Sequence, residues 1–299
     1  KIRTIAGYNI VRTIGTGTYG MVFQAKRKVN GLDETVALKI LRGGEFGSKP
    51  TDEARMRFER EATCTATISH PNVVRIVGHG WAHEEEIPYL AMEFVEGSTL
   101  KDLIIAGHSK WDYHTKAKMV RQLAAAVNAI HLSDLCHRDI KSQNVMVTPD
   151  LTCKITDFGI VKQPDSQLTM PDRLVGTPAY MAPEAFFSAN TDARADLFSL
   201  GVVAYELFCG CLPFAGETVT ALMMSVTKHR PPDPRGFDPD FPKALQFILA
   251  RLLKKSPDER YPTANALISD LDEYLAGTWE PRVGLLSIFR TVNLARDWA

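Results

Sequence analysis

No stretch of this 299-residue chain is long and apolar enough to cross a bilayer as a helix. The most apolar run, 197–211, is short and carries Glu206. A signal-peptide pattern is missing from the start. The first residue, Lys1, leads us to expect a fragment of a longer chain, with any targeting or anchoring element outside it. Neither sign of charge prevails: 35 Lys and Arg stand against 35 Asp and Glu. A dedicated nucleic-acid binder needs a strong basic excess, so that class is set aside, and only a local patch stays open. Cysteine is sparse and scattered, at Cys64, Cys136, Cys153, Cys209 and Cys211, with no second pair at zinc-like spacing. A disulfide framework or a structural metal is therefore not expected. Buried free thiols in a reducing compartment are, and the cytosol fits best.

What is present is ordinary globular material. Hydrophobic residues make up 45% and charged residues 23%, enough to bury a sizeable core in one large domain or two smaller ones. The first ninety-odd residues read as strands at 8–15, 22–27 and 34–40, with Asn30-Gly31 turning the chain between the last two. A polar connection, 43–52, leads to a helix over 53–68, ended by Ser69-His70-Pro71, and two more strands follow at 73–81 and 88–94. Beyond Gly97 the period changes. Met119, Leu123, Ala126, Val127 and Ile130 repeat at helical spacing within 115–133. Short strands are expected around Val145 and Lys154, then helices at 192–210, 219–229, 242–253 and 263–275. The expected organisation is a small strand-rich region, 1–95, a larger helical one, 96–277, and an extension, 278–299. No repeat or low-complexity segment interrupts it.

Gly15-Thr16-Gly17-Thr18-Tyr19-Gly20 fits G-x-G-x-x-G. A dinucleotide site would need that loop to open a helix, whereas Met21 to Ala25 continue as a strand. The loop then reads as a glycine hairpin, either an ordinary one or one whose backbone N–H groups close over phosphates. Lys39 follows Val36-Ala37-Leu38 on a strand: its ammonium either snorkels to water or meets phosphate oxygens beneath the loop. A phosphate-binding lysine wants a carboxylate to fix it. Glu61 suits this better than Glu59, because it alternates with the apolar face of Phe58, Ala62 and Thr65.

The strongest signal is His137-Arg138-Asp139-Ile140-Lys141-Ser142-Gln143-Asn144, followed by Asp157-Phe158-Gly159. Hard divalent cations such as Mg2+ take oxygen ligands, which Asn144 and Asp157 supply. Asp139 can accept the proton of an attacking hydroxyl, while Lys141 steadies the transferring phosphoryl charge. Any one of these residues alone is commonly a surface turn or a helix cap. Their order after a glycine loop and a strand lysine is not.

Over residues 8–276 the sequence resembles a eukaryotic-type (Hanks-type) protein kinase of the Ser/Thr class. The resemblance implies an α+β, bilobal protein kinase fold: a small antiparallel β-sheet lobe with one main helix, and a larger, mainly helical lobe. It implies ATP and Mg2+, with Mn2+ an alternative, and protein substrates with Ser or Thr acceptors. Gly15, Thr16, Gly17, Thr18, Gly20 and Lys39 would hold phosphates. Val22 and Ala37 would roof the adenine and Met146 would floor it. Met92 would be the gatekeeper, with Glu93 and Val95 offering backbone hydrogen bonds. Phe158, His137, Ile76 and Thr65 would stack as a spine in which polar Thr65 departs from the usual bulky residue, a change that would loosen the Glu61 helix. Glu184 would pair with Arg260, and Asp196 would brace the catalytic loop. Lys141 and Gly176-Thr177-Pro178-Ala179-Tyr180 resemble the Ser/Thr branch rather than the Tyr branch.

Arg138 beside Asp139 implies control by a phosphorylated activation segment, with Thr169 the first phosphosite candidate and Ser166 the second. Thr177 sits where the family keeps an unmodified threonine. Asp172 and Arg173 could pair instead, making phosphorylation dispensable. The segment 88–100 and Arg57-Phe58-Glu59-Arg60-Glu61 look most like the bacterial serine/threonine kinases. Such domains are often the cytosolic part of a larger, membrane-attached protein, so self-association or a regulatory region outside the fragment is a further partner. Two other readings are weighed and set aside. A pseudokinase scaffold would lack one of Lys39, Asp139 or Asp157, and a small-molecule phosphotransferase would lack the long segment ending at Ala182-Pro183-Glu184. In the extension, Leu285, Ile288 or Phe289, Val292, Ala295 and Trp298 recur as an amphipathic stripe among Arg282, Arg290 and Arg296. It reads as a docked helix or a linker, with a dimer contact or membrane-surface segment as alternatives.

Overall fold

The computed structural model describes residues 4–17, 20–41, 51–82, 87–107, 111–157, 178–188, 190–280 and 288–291. They fall into two compact units that part between Glu96 and Gly97.

The first unit holds a six-stranded antiparallel sheet. Its strands are β1 (Thr4–Ile5), β2 (Tyr8–Gly17), β3 (Gly20–Val29), β4 (Leu32–Leu41), β5 (Ile76–Ala82) and β6 (Ile87–Glu93), in the order β1-β2-β3-β4-β6-β5. Asn30 and Gly31 join β3 to β4 between the paired residues Val29 and Leu32, with φ of 52° and 85°. Two consecutive positive φ values make the turn whose twist matches that of the strands, and Asn-Gly tolerates them best. Alternation then sorts β4. Val36 and Leu38 are fully buried opposite Ala25 and Phe23, in a core with Ile5, Tyr8, Ala82 and Ala91. The helix α1 (Asp52–Ala66) buries Phe58, Ala62 and Thr65, and Phe58 meets Trp81 edge-on at 5.3 Å.

In the second unit a three-stranded sheet orders β7 (Ser98–Thr99), β8 (Val145–Val147) and β9 (Cys153–Ile155). The helices are α2 (Leu100–Ile105), α3 (Tyr113–His131), α4 (Arg194–Cys209), α5 (Val219–Lys228), α6 (Pro234–Phe237), α7 (Lys243–Leu252) and α8 (Ala264–Ala276). Side-chain caps set five starts: Thr99 for α2, Asp112 for α3, Thr218 for α5, Asp233 for α6 and Thr263 for α8 each accept a backbone N–H from the first turn. Left-handed glycines, Gly210 and Gly277, end α4 and α8. The apolar run at 197–211 is the body of α4, buried on nearly every side against α3 and α7. Among the described residues no helix is long and apolar enough to cross a membrane.

The structure departs from the sequence reading in the extension and at the thiols, besides adding the short elements β1, β7, α2 and α6. Arg290 is extended, not helical. It bridges in parallel to Pro232, its N–H donating to Pro231 O (2.9 Å) and its carbonyl accepting from Asp233 N (2.8 Å). With both main-chain groups spent on a distant segment, the amphipathic helix expected over the extension does not include this residue. Phe289 beside it is buried, and Trp279 lies 5.9 Å from the Phe247 ring. Leu285, Val292, Ala295 and Trp298 lie outside the described residues. The five thiols are all free, as expected, but only Cys153 and Cys209 are buried, while Cys64, Cys136 and Cys211 are partly exposed.

Candidate active site

In the second unit, the loop after α3 gathers its polar groups on Asp139. Lys141 Nζ donates to Asp139 Oδ2 at 3.0 Å. Asn144 Nδ2 donates to the same residue twice, to its carbonyl (2.9 Å) and to Oδ2 (3.1 Å). Because the Asn144 amide nitrogen faces Asp139, its Oδ1 is left as an acceptor. That oxygen and the Asp157 carboxylate are hard oxygen donors of the kind Mg2+ takes, so their chemistry fits such an ion. Asn144 sits in a 3-10 turn, 142–144, that leads straight into β8, and its carbonyl accepts from Thr156 N at 2.9 Å just after β9.

The loop backbone is held from below by one carboxylate. Asp196, in the first turn of α4, accepts from Arg138 N at Oδ1 (2.9 Å) and from His137 N at Oδ2 (2.8 Å), and His131 Nε2 lies 3.0 Å from Oδ2. Burial works against its charge. The bond from His131 and the nearby His137 and Arg138 groups outweigh that and hold the carboxyl below its usual range. Arg138 has φ of 61° and Asp157 φ of 60°, conformations that non-glycine residues adopt at a cost. Fixing both N–H groups around Arg138 keeps it there. His137 is itself buried. Its Nδ1 accepts from Asp139 N (3.2 Å), so the proton is on Nε2, which donates to Thr156 O (3.1 Å). Burial pushes its pKa down, against the pull of Asp196 and Asp139, so the ring stays neutral.

A further buried set was not legible in the sequence. Tyr180 OH donates to Glu206 Oε2 (2.6 Å) and lies 2.9 Å from Ser142 Oγ, while Lys101 Nζ donates to Glu206 Oε1 (2.7 Å). Burial, then Glu206, raises the Tyr180 pKa, so the phenol remains a donor. Arg260 is buried and paired with Glu184, the partner expected from the resemblance.

In the first unit, Gly17 pairs with Gly20 and β3 follows as a strand. The glycine motif is a hairpin, and the dinucleotide arrangement is excluded. Val22 pairs with Lys39, Ala37 with Met92, and Gly15 with Val22. Directly opposed residues share a sheet face, so Gly15, Gly20, Val22, Ala37, Lys39 and Met92 all lie on the face opposite the core of Val36 and Leu38. Glu93 N donates to Arg75 O (2.9 Å), and its Oε1 accepts from Arg75 N (3.0 Å). On α1, exposed Glu59 accepts from Trp81 Nε1 (2.9 Å), while Glu61 lies partly buried between Phe58 and Thr65. The Thr65 hydroxyl donates to Glu61 O (2.8 Å), so this buried polar group is satisfied within its own helix. Met146, between the buried Val145 and Val147, points to the other face of β8. Thr18, Phe158, Ser166, Thr169, Asp172, Arg173 and Thr177 lie outside the described residues.

Residues 8–271 match the family described as "Protein kinase domain". A probable serine/threonine-protein kinase of Clostridium perfringens is 36% identical over 267 residues, covering 89% of this chain and 38% of that protein. Serine/threonine-protein kinase PrkC of Bacillus subtilis is 33% identical over 267 residues, covering 88% and 40%. Serine/threonine-protein kinase PknA of Mycobacterium tuberculosis is 34% identical over 284 residues, covering 93% and 64%. The chain thus spans less than half the length of the first two.

Proposed function

The chain belongs to the protein kinase family, and from that premise we propose that it transfers the γ-phosphoryl group of ATP to Ser and Thr hydroxyls of proteins, itself included. The observation that carries this reading is the convergence of Lys141 and Asn144 on Asp139, at 3.0 and 3.1 Å. Asp139 is held with one carboxylate oxygen fixed by two donors, poised to orient an acceptor hydroxyl and take its proton. Lys141, beside it, carries the positive charge that stabilises phosphoryl oxygens as they leave ATP. Mg2+, or Mn2+ in its place, would neutralise phosphate charge when bound by Asn144 Oδ1 and Asp157. Lys39, positioned by Glu61, and the backbone of Gly15, Thr16, Gly17, Thr18 and Gly20 hold the phosphates. Val22, Ala37 and Met92, on one face of the first unit's sheet, contact the base, and Glu93 and Val95 bond it through the main chain. The serine/threonine names of the bacterial relatives support the acceptor class, as does Lys141 itself. Thr169, then Ser166, are the proposed regulatory sites, answering to Arg138.

The test is transfer of labelled γ-phosphate with Mg2+ to a generic basic protein, with Asp139→Asn and Lys39→Met alongside and the acceptor residues mapped by mass spectrometry. Label on Ser and Thr that falls by about 10^2- to 10^4-fold in Asp139→Asn is expected. Equal label in both, or none despite ATP binding, overturns the reading.

A further inference from the structure

Three side chains from separate parts of the second unit converge behind the loop that carries Asp139. His131 closes α3, Cys136 precedes His137, and Asp196 opens α4. A ligating nitrogen, sulfur and oxygen from the three all lie within 4.8 Å of one another, and His131 Nε2 is 3.0 Å from Asp196 Oδ2. In a tetrahedral zinc site with bonds of about 2.0 Å, neighbouring nitrogen and oxygen ligands stand roughly 3.3 Å apart. The observed spacing needs only a few tenths of an ångström of opening.

Two more features favour a cation. Asp196 is aimed by the main-chain amides of His137 and Arg138, the kind of outer bonds that orient ligating carboxylates in metal sites. Cys136, partly exposed, makes no hydrogen bond among the described residues, so its sulfur is uncommitted. The charges around this thiol are mainly acidic: Asp196 and Asp192 raise its pKa, after burial, while Arg138 lowers it.

We propose that His131, Cys136 and Asp196 bind a borderline-soft divalent cation, zinc or cadmium, with water as the fourth ligand. The ion takes the place of the hydrogen between His131 Nε2 and Asp196 Oδ2. The proton displaced from Nε2 is taken up at Nδ1 by way of solvent, so the imidazole stays neutral, and Cys136 releases its proton to solvent. One thiolate, one carboxylate and one dication sum to zero, so the half-buried cluster carries no net charge. The donor set separates this site from that of Asn144 and Asp157: sulfur and imidazole select zinc or cadmium over magnesium, which prefers oxygen. A bound ion would cross-link the end of α3, the loop and the start of α4. Spacing along the chain could not reveal it, because Asp196 lies far from the other two in sequence.

The test titrates the full chain with Cd2+ in excess Mg2+, following the thiolate-to-metal charge-transfer band. X-ray absorption is then recorded on the Zn2+-loaded protein. One equivalent of Cd2+ should raise the band, and Cys136→Ser, checked for native circular dichroism, should remove it and weaken binding at least about 10-fold. The zinc shell should hold one sulfur near 2.3 Å with nitrogen and oxygen at about 2.0–2.1 Å. A band retained in Cys136→Ser, a shell with two sulfurs (which would put the ion at Cys209 and Cys211), or no binding to the wild type each overturns the proposal. Cys136→Ala serves as the second variant if the serine form does not fold.

Discussion

Arg260 meets Glu184 fork to fork: Nη1 and Nη2 each donate to one carboxylate oxygen at 2.7 Å. The other three guanidinium hydrogens reach main-chain carbonyls, of Lys254 (2.8 Å), Arg194 (3.0 Å) and Lys255 (2.9 Å), and the side chain has no exposed surface. One cation thus ties residues 178–184 to the start of α4 and to the segment after α7. A fully satisfied buried arginine is costly to disturb from one side only.

Glu184→Ala should therefore destabilise the protein by about 3 kcal/mol, because it strands the Arg260 charge. Glu184→Gln, which keeps an acceptor in place, should cost less. Urea unfolding of the two variants gives both numbers, and a loss below about 1 kcal/mol for the alanine variant would contradict the burial argument.

Stability should also report the neutral state of His137. Its folded pKa lies below the ordinary 6.5 because of burial, so the unfolded chain takes up a proton first as pH falls. This contribution is fully present above 6.5 and is lost from there down towards the folded value. Asp196, depressed in the folded state, adds stability above the ordinary 3.8 that is lost as pH falls through its folded value. The urea midpoint of the wild type should fall between pH 7 and 5, and His137→Phe should lose that slope while keeping the one below pH 4.

Lys255 gives the opposite end of the pH scale. Burial, then the charge of Arg260, pushes its ammonium down to about 7 from 10.5. Its Nζ lies 3.8 Å from the Phe214 ring centre and donates to Val226 O (2.5 Å). Between about pH 7 and 10.5 the unfolded chain holds the proton and the folded chain does not, so stability rises with pH across that window. Lys255→Met should flatten the rise, by up to about 1.4 kcal/mol per pH unit relative to wild type. A parallel pair of stability curves would refute it.

Two glycines of one motif should behave differently. Gly20 has φ of 148°, and a Cβ there would fall 2.0 Å from Ile40 O, whereas a Cβ on Gly15 would meet only the Val22 side chain, at 3.7 Å. Gly20→Ala should cost more than about 1 kcal/mol, and Gly15→Ala less. Thermal unfolding monitored in the first unit distinguishes them, and equal losses would argue against the backbone clash.

Much of this was legible before any coordinates. The strand at 34–40 and the Asn30-Gly31 turn before it could be read because both signals are local, and the structure adds that Val36 and Leu38 are its core-facing residues. The run from His137 to Asn144 stood out for the same reason. What escaped was short or distant. β1, β7, α2 and α6 have 2, 2, 6 and 4 residues, too few for a period to show. Arg290 was read into a helix because its partner, Pro232, belongs to another part of the chain. The Glu184–Arg260 pair was expected from the resemblance and is present, whereas the links of Lys101 and Tyr180 to Glu206 depend on tertiary packing that no spacing encodes. Residue type alone leaves such groups looking like solvated surface.

The paired faces of β4 have a consequence for how this strand tolerates change. Even-numbered positions 36 and 38 face the core and odd-numbered positions 37 and 39 face the other side, so two constraints are written into alternate letters of one short word. A saturation mutational scan should show a comb: fold-dependent abundance failing at 36 and 38, phosphotransfer failing at 37 and 39 with abundance kept. Inserting a single residue within the strand would exchange the two sets at once, sending Lys39 inward and Leu38 outward. Deletions and insertions here should be far more damaging than any one substitution, and a comparable insertion at the Asn30-Gly31 turn should be the milder event.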